Sequence, residues 1–367
     1  MNPLKQLHEQ GQSVWLDYIR RTLITSGELQ NLIDEDGVRG MTSNPTIFEK
    51  SINGTNDYDA SLARALQNDP DQDTKTLFET LAIEDIQMAA DALRPVFDES
   101  NGADGFVSLE VSPKLAADTS RTITEAKRLW GTVDRPNVMI KVPATSDGVA
   151  AFESLIADGV NVNVTLMFSL DHYEAVAQAY IRGLDRCKTP ERMASVASFF
   201  VSRVDGIVDK ALDENGSPEA LSLKGRIAVA NAKLAYKRFQ EIFEGESFKK
   251  LAGAGAHVQR PLWASTSTKN PDYNDVLYVD ELIGPHTVNT LPPNTLEAFR
   301  DHGKVAATLA TGVDEAKSQM VALKGLGIDF GALAEKLQVD GVASFAKSFE
   351  DLLSSLEKKR QLSSSAG

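Results

Sequence analysis

Short runs of β-branched, aromatic and aliphatic residues recur along the 367-residue chain, and stretches of helical spacing separate them. This alternation constrains the fold more than any other feature, because strands joined by helical crossovers pair in parallel and carry the helices on the sheet's faces. Eight runs read as strands: SVWLD (13–17), VRGMTSN (38–44), FVSLEVS (106–112), VMIKVPA (138–144), VNVNVTLMF (160–168), SVASFFVS (195–202), PLWAST (261–266) and VLYVDEL (276–282). Helical spacing appears in TEAKRLW, DHYEAVAQAYIRGL and RIAVANAKLAYKRFQEIF between them. Eight βα steps predict an α/β fold, a (β/α)8 TIM barrel, over an open doubly wound sheet, which can also hold this many strands. A barrel needs about 250 residues plus insertions, so residues 1–360 are expected to form one domain with extra covering helices. Val342, Phe345, Phe349, Leu352 and Leu356 share one face of a C-terminal helix, and residues 361–367 are expected to be a flexible tail.

Several strands alternate in polarity instead of reading as continuous apolar runs. Val107, Leu109 and Val111 fall on one face of the third strand, and Ser108, Glu110 and Ser112 on the other. Asn161, Asn163 and Thr165 repeat the pattern in the fifth strand. Ser13, Trp15 and Asp17 oppose Val14 and Leu16 in the first. In a helix-covered barrel the apolar set faces the helices, so the polar set points toward the axis. Buried polar groups are costly unless they are paired or used, which places a site inside the barrel. Asp17, Asn44, Glu110, Lys141, Thr165 and Ser198 fall in the C-terminal half or at the C-terminal end of their strands, the catalytic end of a barrel.

Charge and composition exclude several classes of function. The formal net charge is −14 and no long Lys/Arg run occurs, so a nucleic-acid backbone or an anionic membrane has no electrostatic footprint to meet. Small anionic substrates remain open, since a few local cations in a dry pocket outweigh distant screened charges. A single cysteine, Cys187, cannot close an internal disulfide, and neither a signal-peptide core nor an apolar run of about 18 residues is present. The expectation is a cytoplasmic protein, with the sequons at Asn53, Asn163 and Asn215 as chance matches. Nothing in the sequence decides between a monomer and a homodimer.

Lys141 is the sharpest single residue. It interrupts an apolar strand, where an ammonium is expensive to desolvate. A salt-bridged or snorkelling lysine would satisfy the position. The chemical alternative is a nucleophile, because desolvation favours a neutral amine and a neutral amine attacks a ketone to form an imine. Imine chemistry also needs proton carriers, and Asp17 and Glu110 are the available carboxylates, each equally readable as an ion-pair partner. Two carboxylates in a barrel mouth also fit a glycosidase, but a lysine nucleophile has no place there. AGAG at 252–255 lacks the third glycine of a dinucleotide fingerprint, and no GxxxxGK[ST] occurs. His8, His172, His257, His286 and His302 show no HExxH or paired spacing and no cysteine cluster accompanies them, so no structural or catalytic metal is expected. His286 is expected to follow the eighth strand, near the mouth.

Taken together and in order, GMTSNPTIFEKSI, VSLEVSP, VMIKVPAT, VNVNVTLMFS, SVASFFVSRVDG, PLWASTSTKNP and YVDELIGPHTVNTLP resemble the blocks of transaldolases, closest to the longer bacterial subgroup. QVDGVASFAKSFEDLL resembles the C-terminal helix of that family, so the resemblance covers nearly the whole chain. It implies a cofactor-free transferase of the pentose phosphate pathway that moves a dihydroxyacetone unit between sugar phosphates. Lys141 would be the Schiff-base lysine. Glu110, with a water held by Thr165, would shuttle protons for carbinolamine dehydration and imine hydrolysis, and Asp17 would be the acid/base at the carbon-four hydroxyl. Asn44, Asn163 and Ser198 match residues that hold the dihydroxyacetone unit, and Arg203, Ser267 and Lys269 match phosphate-binding positions. Many relatives carry arginine where this chain has Lys269, which replaces a planar fork by a point cation. The rivals are a lysine-dependent aldolase acting on fructose 6-phosphate, whose relatives tend to carry tyrosine at Phe200 and glutamine at Glu110, and a sugar-phosphate-binding protein without catalysis.

Overall fold

The computed structural model describes residues 2–365. Eight parallel strands close into one barrel in chain order, β1 (Gln12–Leu16), β2 (Val38–Met41), β3 (Phe106–Glu110), β4 (Val138–Pro143), β5 (Val162–Met167), β6 (Ser195–Phe200), β7 (Arg260–Ala264) and β8 (Thr287–Leu291), with β8 pairing back onto β1. Helices follow the strands and cover the outside, as the sequence predicts. Seven of the eight predicted strands coincide with observed ones.

The eighth does not. VLYVDEL carries a short helix, Leu277–Asp280, and the true β8 is TVNTL at 287–291. Asn274 turns the chain into that helix by accepting the Val276 amide at 3.0 Å. The shift also relocates His286. It precedes β8, exposed and with φ +58°, at the end of the barrel opposite the catalytic mouth.

The alternating strands place their polar set inward. Asn163 donates from Nδ2 to Ser108 Oγ at 3.0 Å and accepts from Ser198 Oγ at 2.7 Å, so β3, β5 and β6 are tied across the interior. Val107, Leu109 and Val111 are buried on the other face. At the N-terminal end the interior is filled by the Trp15 ring, which fits because Gly40 has no Cβ: one built there would stand 2.5 Å from the indole. Asp104 closes this end, accepting from Ser13 and from Trp15 Nε1 (2.8 Å) and pairing with Arg39 (3.2 Å) and Arg260 (3.3 Å).

A helix of 36 residues, Phe330–Ser365, crosses the barrel and buries Phe345, Phe349, Leu352 and Leu356 in the main apolar core, with Val342 partly buried beside them. The helix assignment continues through 361–365 of the expected tail; Ala366 and Gly367 lie outside the described residues. No helix among the described residues is long and apolar enough to cross a membrane.

Asp205, 2% exposed, accepts from the Ala228 amide and the Tyr278 hydroxyl, each at 2.8 Å, and ties three helices together behind β6. Burial pushes its carboxyl up to about 6 from 3.8, against the pull of those two donors. Its stabilising contribution is therefore fully present below about pH 4 and is lost as pH rises through about 6, a change of about 3 kcal/mol. Urea unfolding from pH 4 to 7.5 should show the wild type losing this stability relative to Asp205→Asn. Parallel curves for the two proteins would refute the assignment.

Candidate active site

The C-terminal ends of the strands surround a cavity of about 440 Å³. Asp17, Asn44, Lys141, Thr165, Ser198, Arg203, Ser267 and Lys269 all line it. Glu110 and Asn163, the other two residues singled out from the sequence, lie just outside its lining, directly beside Lys141 in the sheet: Glu110 pairs with Lys141 across β3 and β4, and Lys141 with Asn163 across β4 and β5. All ten therefore gather in one region, although they come from seven strands or the segments that follow them.

Lys141 is 4% exposed. Its Nζ stands 3.2 Å from Glu110 Oε2 and donates to the Ser43 carbonyl oxygen at 3.1 Å. The ring of Phe345, on the C-terminal helix, lies 5.6 Å from the same nitrogen, where the negative face of the π system attracts the cation. Burial pushes the Glu110 carboxyl above the ordinary glutamate value, and the Lys141 charge opposes that push. The Thr165 hydroxyl is fully buried and has no hydrogen-bond partner in the protein, a costly state for a group with no further use.

Asp17 follows β1 at the opposite side of the mouth. Thr42 Oγ1 donates to its Oδ1 at 2.7 Å. Part of the residue stays exposed, yet the surrounding wall desolvates the carboxylate enough to raise its pKa, against the charges of Lys141, Arg203 and Lys269 and the bond from Thr42. Asn44 caps the helix Pro45–Asn53 by accepting the Ile47 amide at 2.9 Å, which fixes its side chain at the rim.

The cationic side of the cavity is built differently. Arg203 starts the helix after β6, and its guanidinium is held against two rings, Phe200 at 4.9 Å and Phe345 at 5.7 Å. Burial lowers its pKa, opposed by Asp17 and Glu110. Lys269 is exposed and donates to Ser267 Oγ at 2.6 Å, so the STSTK segment brings both predicted residues to the same wall. Lys50 lines the cavity as a further cation. With Lys141, Arg203 and Lys269 it faces a single lining carboxylate, Asp17, in a chain of net charge −14.

This is a barrel mouth with a desolvated lysine, two carboxylates of raised pKa and a cationic wall able to hold a phosphate. The whole-chain comparisons agree with it. A family model described as Transaldolase/Fructose-6-phosphate aldolase matches residues 14–356. The chain belongs to this family. Similar proteins include a transaldolase of Thiobacillus denitrificans, 49% identical over 97% of this chain and 100% of the relative, and transaldolase 2 of a Nostoc species, 46% identical over 99% and 98%. A transaldolase of Mycobacterium marinum is 46% identical over 96% of each chain.

Within this transaldolase/aldolase frame, sequence reasoning missed some of the site. Thr42 and Ser43, the residues that orient Asp17 and hold the lysine nitrogen, directly precede Asn44 in the predicted second strand, so their place was open to prediction. From its spacing Phe345 reads only as a core residue. Its contact with two cations depends on how a distant helix docks, which no local pattern carries. Among the described residues no group of three or more His, Cys, Asp or Glu side chains is placed to hold a metal.

A guanidinium that is fixed by two rings and points into a cavity should bind anions strongly. Arg203→Leu is expected to weaken inorganic phosphate binding by roughly 10- to 100-fold, the range of a charged hydrogen bond of about 1.5–3 kcal/mol. Lys269→Leu should cost less, because an exposed flexible lysine loses more entropy on binding. Calorimetric titration measures both, and unchanged affinity in Arg203→Leu would rule that residue out as an anion ligand.

Proposed function

We propose that the protein is a transaldolase that carries a dihydroxyacetone unit from sedoheptulose 7-phosphate to glyceraldehyde 3-phosphate, giving erythrose 4-phosphate and fructose 6-phosphate, through a Schiff base on Lys141. Full-length similarity to transaldolases supports the activity. The observation that carries the residue roles is the buried Lys141 amine beside Glu110, with Asp17 in the same cavity.

In this reading the neutral lysine attacks the donor's carbon-two ketone. Glu110, acting with a water held at the Thr165 hydroxyl, supplies the proton that lets the carbinolamine lose water. Asp17 then takes the proton from the carbon-four hydroxyl, the bond between carbons three and four breaks, and its electron pair flows into the iminium to give an enamine. The aldehyde leaves, the acceptor aldehyde enters, and the enamine attacks it while Asp17 returns the proton. Hydrolysis of the new imine frees the product. Asn44 and Ser198 hold the three-carbon unit meanwhile, with Asn163 bracing Ser198 from below. Arg203, Ser267 and Lys269 take the phosphate. Lys269, a point cation on an exposed stem, tolerates phosphates carried at different distances from carbon two better than a rigid fork does.

Phe200 favours transfer over release. It presents a ring and no proton where aldolase-like relatives tend to carry tyrosine, so the enamine is not readily protonated from that side. Cytoplasmic residence belongs to the same reading, and the single cysteine fits it.

Incubation with fructose 6-phosphate and borohydride should leave a reduced dihydroxyacetone adduct on Lys141, absent in Lys141→Ala, by peptide mass spectrometry. Turnover should depend on erythrose 4-phosphate. Release of free dihydroxyacetone at a comparable rate without an acceptor would point to an aldolase, and a folded, phosphate-binding protein that forms no adduct would point to binding without catalysis.

The proton carriers set the pH response. Asp17 must be ionised to act as base, and its pKa is raised, so kcat/KM should fall as pH drops through a value above the ordinary 3.8. Asp17→Asn should lose about 10²- to 10⁴-fold in kcat, the usual share of a positioned acid/base. A variant retaining activity within tenfold of wild type would assign the role elsewhere.

A further inference from the structure

The C-terminal helix turns one stripe, Gln338, Gly341 and Phe345, toward the site, at the i, i+3, i+7 spacing that shares a helix face. Gln338 Nε2 donates to two carbonyl oxygens, Ala144 at 3.0 Å and Leu166 at 3.1 Å. These residues stand at the C-terminal ends of the strands that carry Lys141 and Thr165.

β5 is irregular at that point. Val164 pairs with Ala197 and Met167 with Phe199, so Thr165 and Leu166 together face the single residue Ser198. The bulge puts Leu166 at φ +64°, a region that a branched side chain adopts only against strain. Bulges are rare in parallel sheets, and beside active sites they re-aim a side chain. Here the residue next to the strained one is Thr165, whose buried hydroxyl has no protein partner. Gly341 lets the helix come this close, since a Cβ built there would stand 2.9 Å from Leu166 Cδ2.

We propose that Gln338 is a positioning residue: by binding the carbonyls of Ala144 and Leu166 it holds the β5 bulge that aims the Thr165 hydroxyl at the reacting carbon beside Lys141. It touches no substrate. The strain at Leu166 persists because a donor on the helix fixes its carbonyl, and the helix is pinned further along by Thr46 Oγ1 donating to Ser348 Oγ at 2.8 Å. The proposal rests on the Schiff-base reading of Lys141 and Thr165.

Gln338→Met keeps length and bulk and removes both donors. Borohydride trapping with fructose 6-phosphate counts the sites able to form the imine, and kcat with erythrose 4-phosphate is then expressed per trappable site. The imine should still form, since Lys141 is intact, while kcat per site falls by about tenfold or more and KM moves by less than about threefold, as expected of small misplacement at the reacting atoms. A purely structural role lowers the number of trappable sites and the rate together and leaves kcat per site unchanged. A fall of less than about fivefold per site overturns the proposal. Should Gln338→Met fail to fold, Gly341→Ala, which presses on Leu166 without removing a polar group, is read by the same ratio and the same threshold. Failure of wild-type protein to trap any adduct would instead refute the Schiff-base reading.

Discussion

A lysine nitrogen held inside a closed barrel is expensive. Removing one partner from a buried ion pair typically costs about 3–5 kcal/mol, because the other charge is left without compensation. The architecture of the mouth follows from meeting that cost at Lys141. Glu110 stands beside it by register, since β3 and β4 pair the two residues directly. Ser43 supplies a carbonyl from the segment after β2, and Phe345 a ring face from the far end of the chain. The compensation is partial in a useful way: the nitrogen still borders the cavity, so a ketone can reach it. The other end of the barrel meets a similar problem with the opposite result. Asp104 is surrounded by two arginines, an indole and a hydroxyl, and that cluster is closed.

Charge is distributed with the same economy. The chain carries 52 acidic against 38 basic residues, yet the lining of the cavity is cationic. At physiological ionic strength the screening length is about 8 Å, so most of the acidic surface is not felt inside the mouth, whereas Lys141, Arg203 and Lys269 are. Arg203 shows how a cation is kept available in an acidic protein. It is held by aromatic rings, and Asp17 and Glu110 reach it as a field. A direct carboxylate partner would have to be displaced before a phosphate could bind; two rings need not be.

Much of this was legible in the sequence. Strand alternation is strictly local, so the inward set of β1, β3 and β5 could be read directly, and the succession of βα steps pointed to the barrel and its catalytic end. The eighth strand failed for an equally local reason. VLYVDEL is rich in β-branched and aromatic residues, whereas TVNTL, between Pro285 and Pro292, is short and mixed, with Asn289 and Thr287 among its buried positions. Its burial comes from closure of the barrel onto β1, and a single segment gives no sign of closure. Three further features escaped for a related cause. The bulge at Leu166, the carbonyl bonds of Gln338 and the two-cation contact of Phe345 are consequences of docking one helix on two strand ends.

That docking has a bearing on how the site comes into being. Residues 338–345 meet strand ends roughly 170 to 200 positions earlier in the chain, so each of these contacts closes a long loop and has to meet its entropy. The eight strands can place Lys141 and Glu110 side by side without the last helix, because register alone does so. They do not by themselves account for the left-handed Leu166 or for the ring against Arg203. The position of the lysine is therefore a product of barrel topology, while part of its surroundings, the Leu166 carbonyl beside Thr165 and the second ring against Arg203, meets the C-terminal helix. A barrel without that helix would keep Lys141 beside Glu110 and lose the donor at the Leu166 carbonyl and the Phe345 ring.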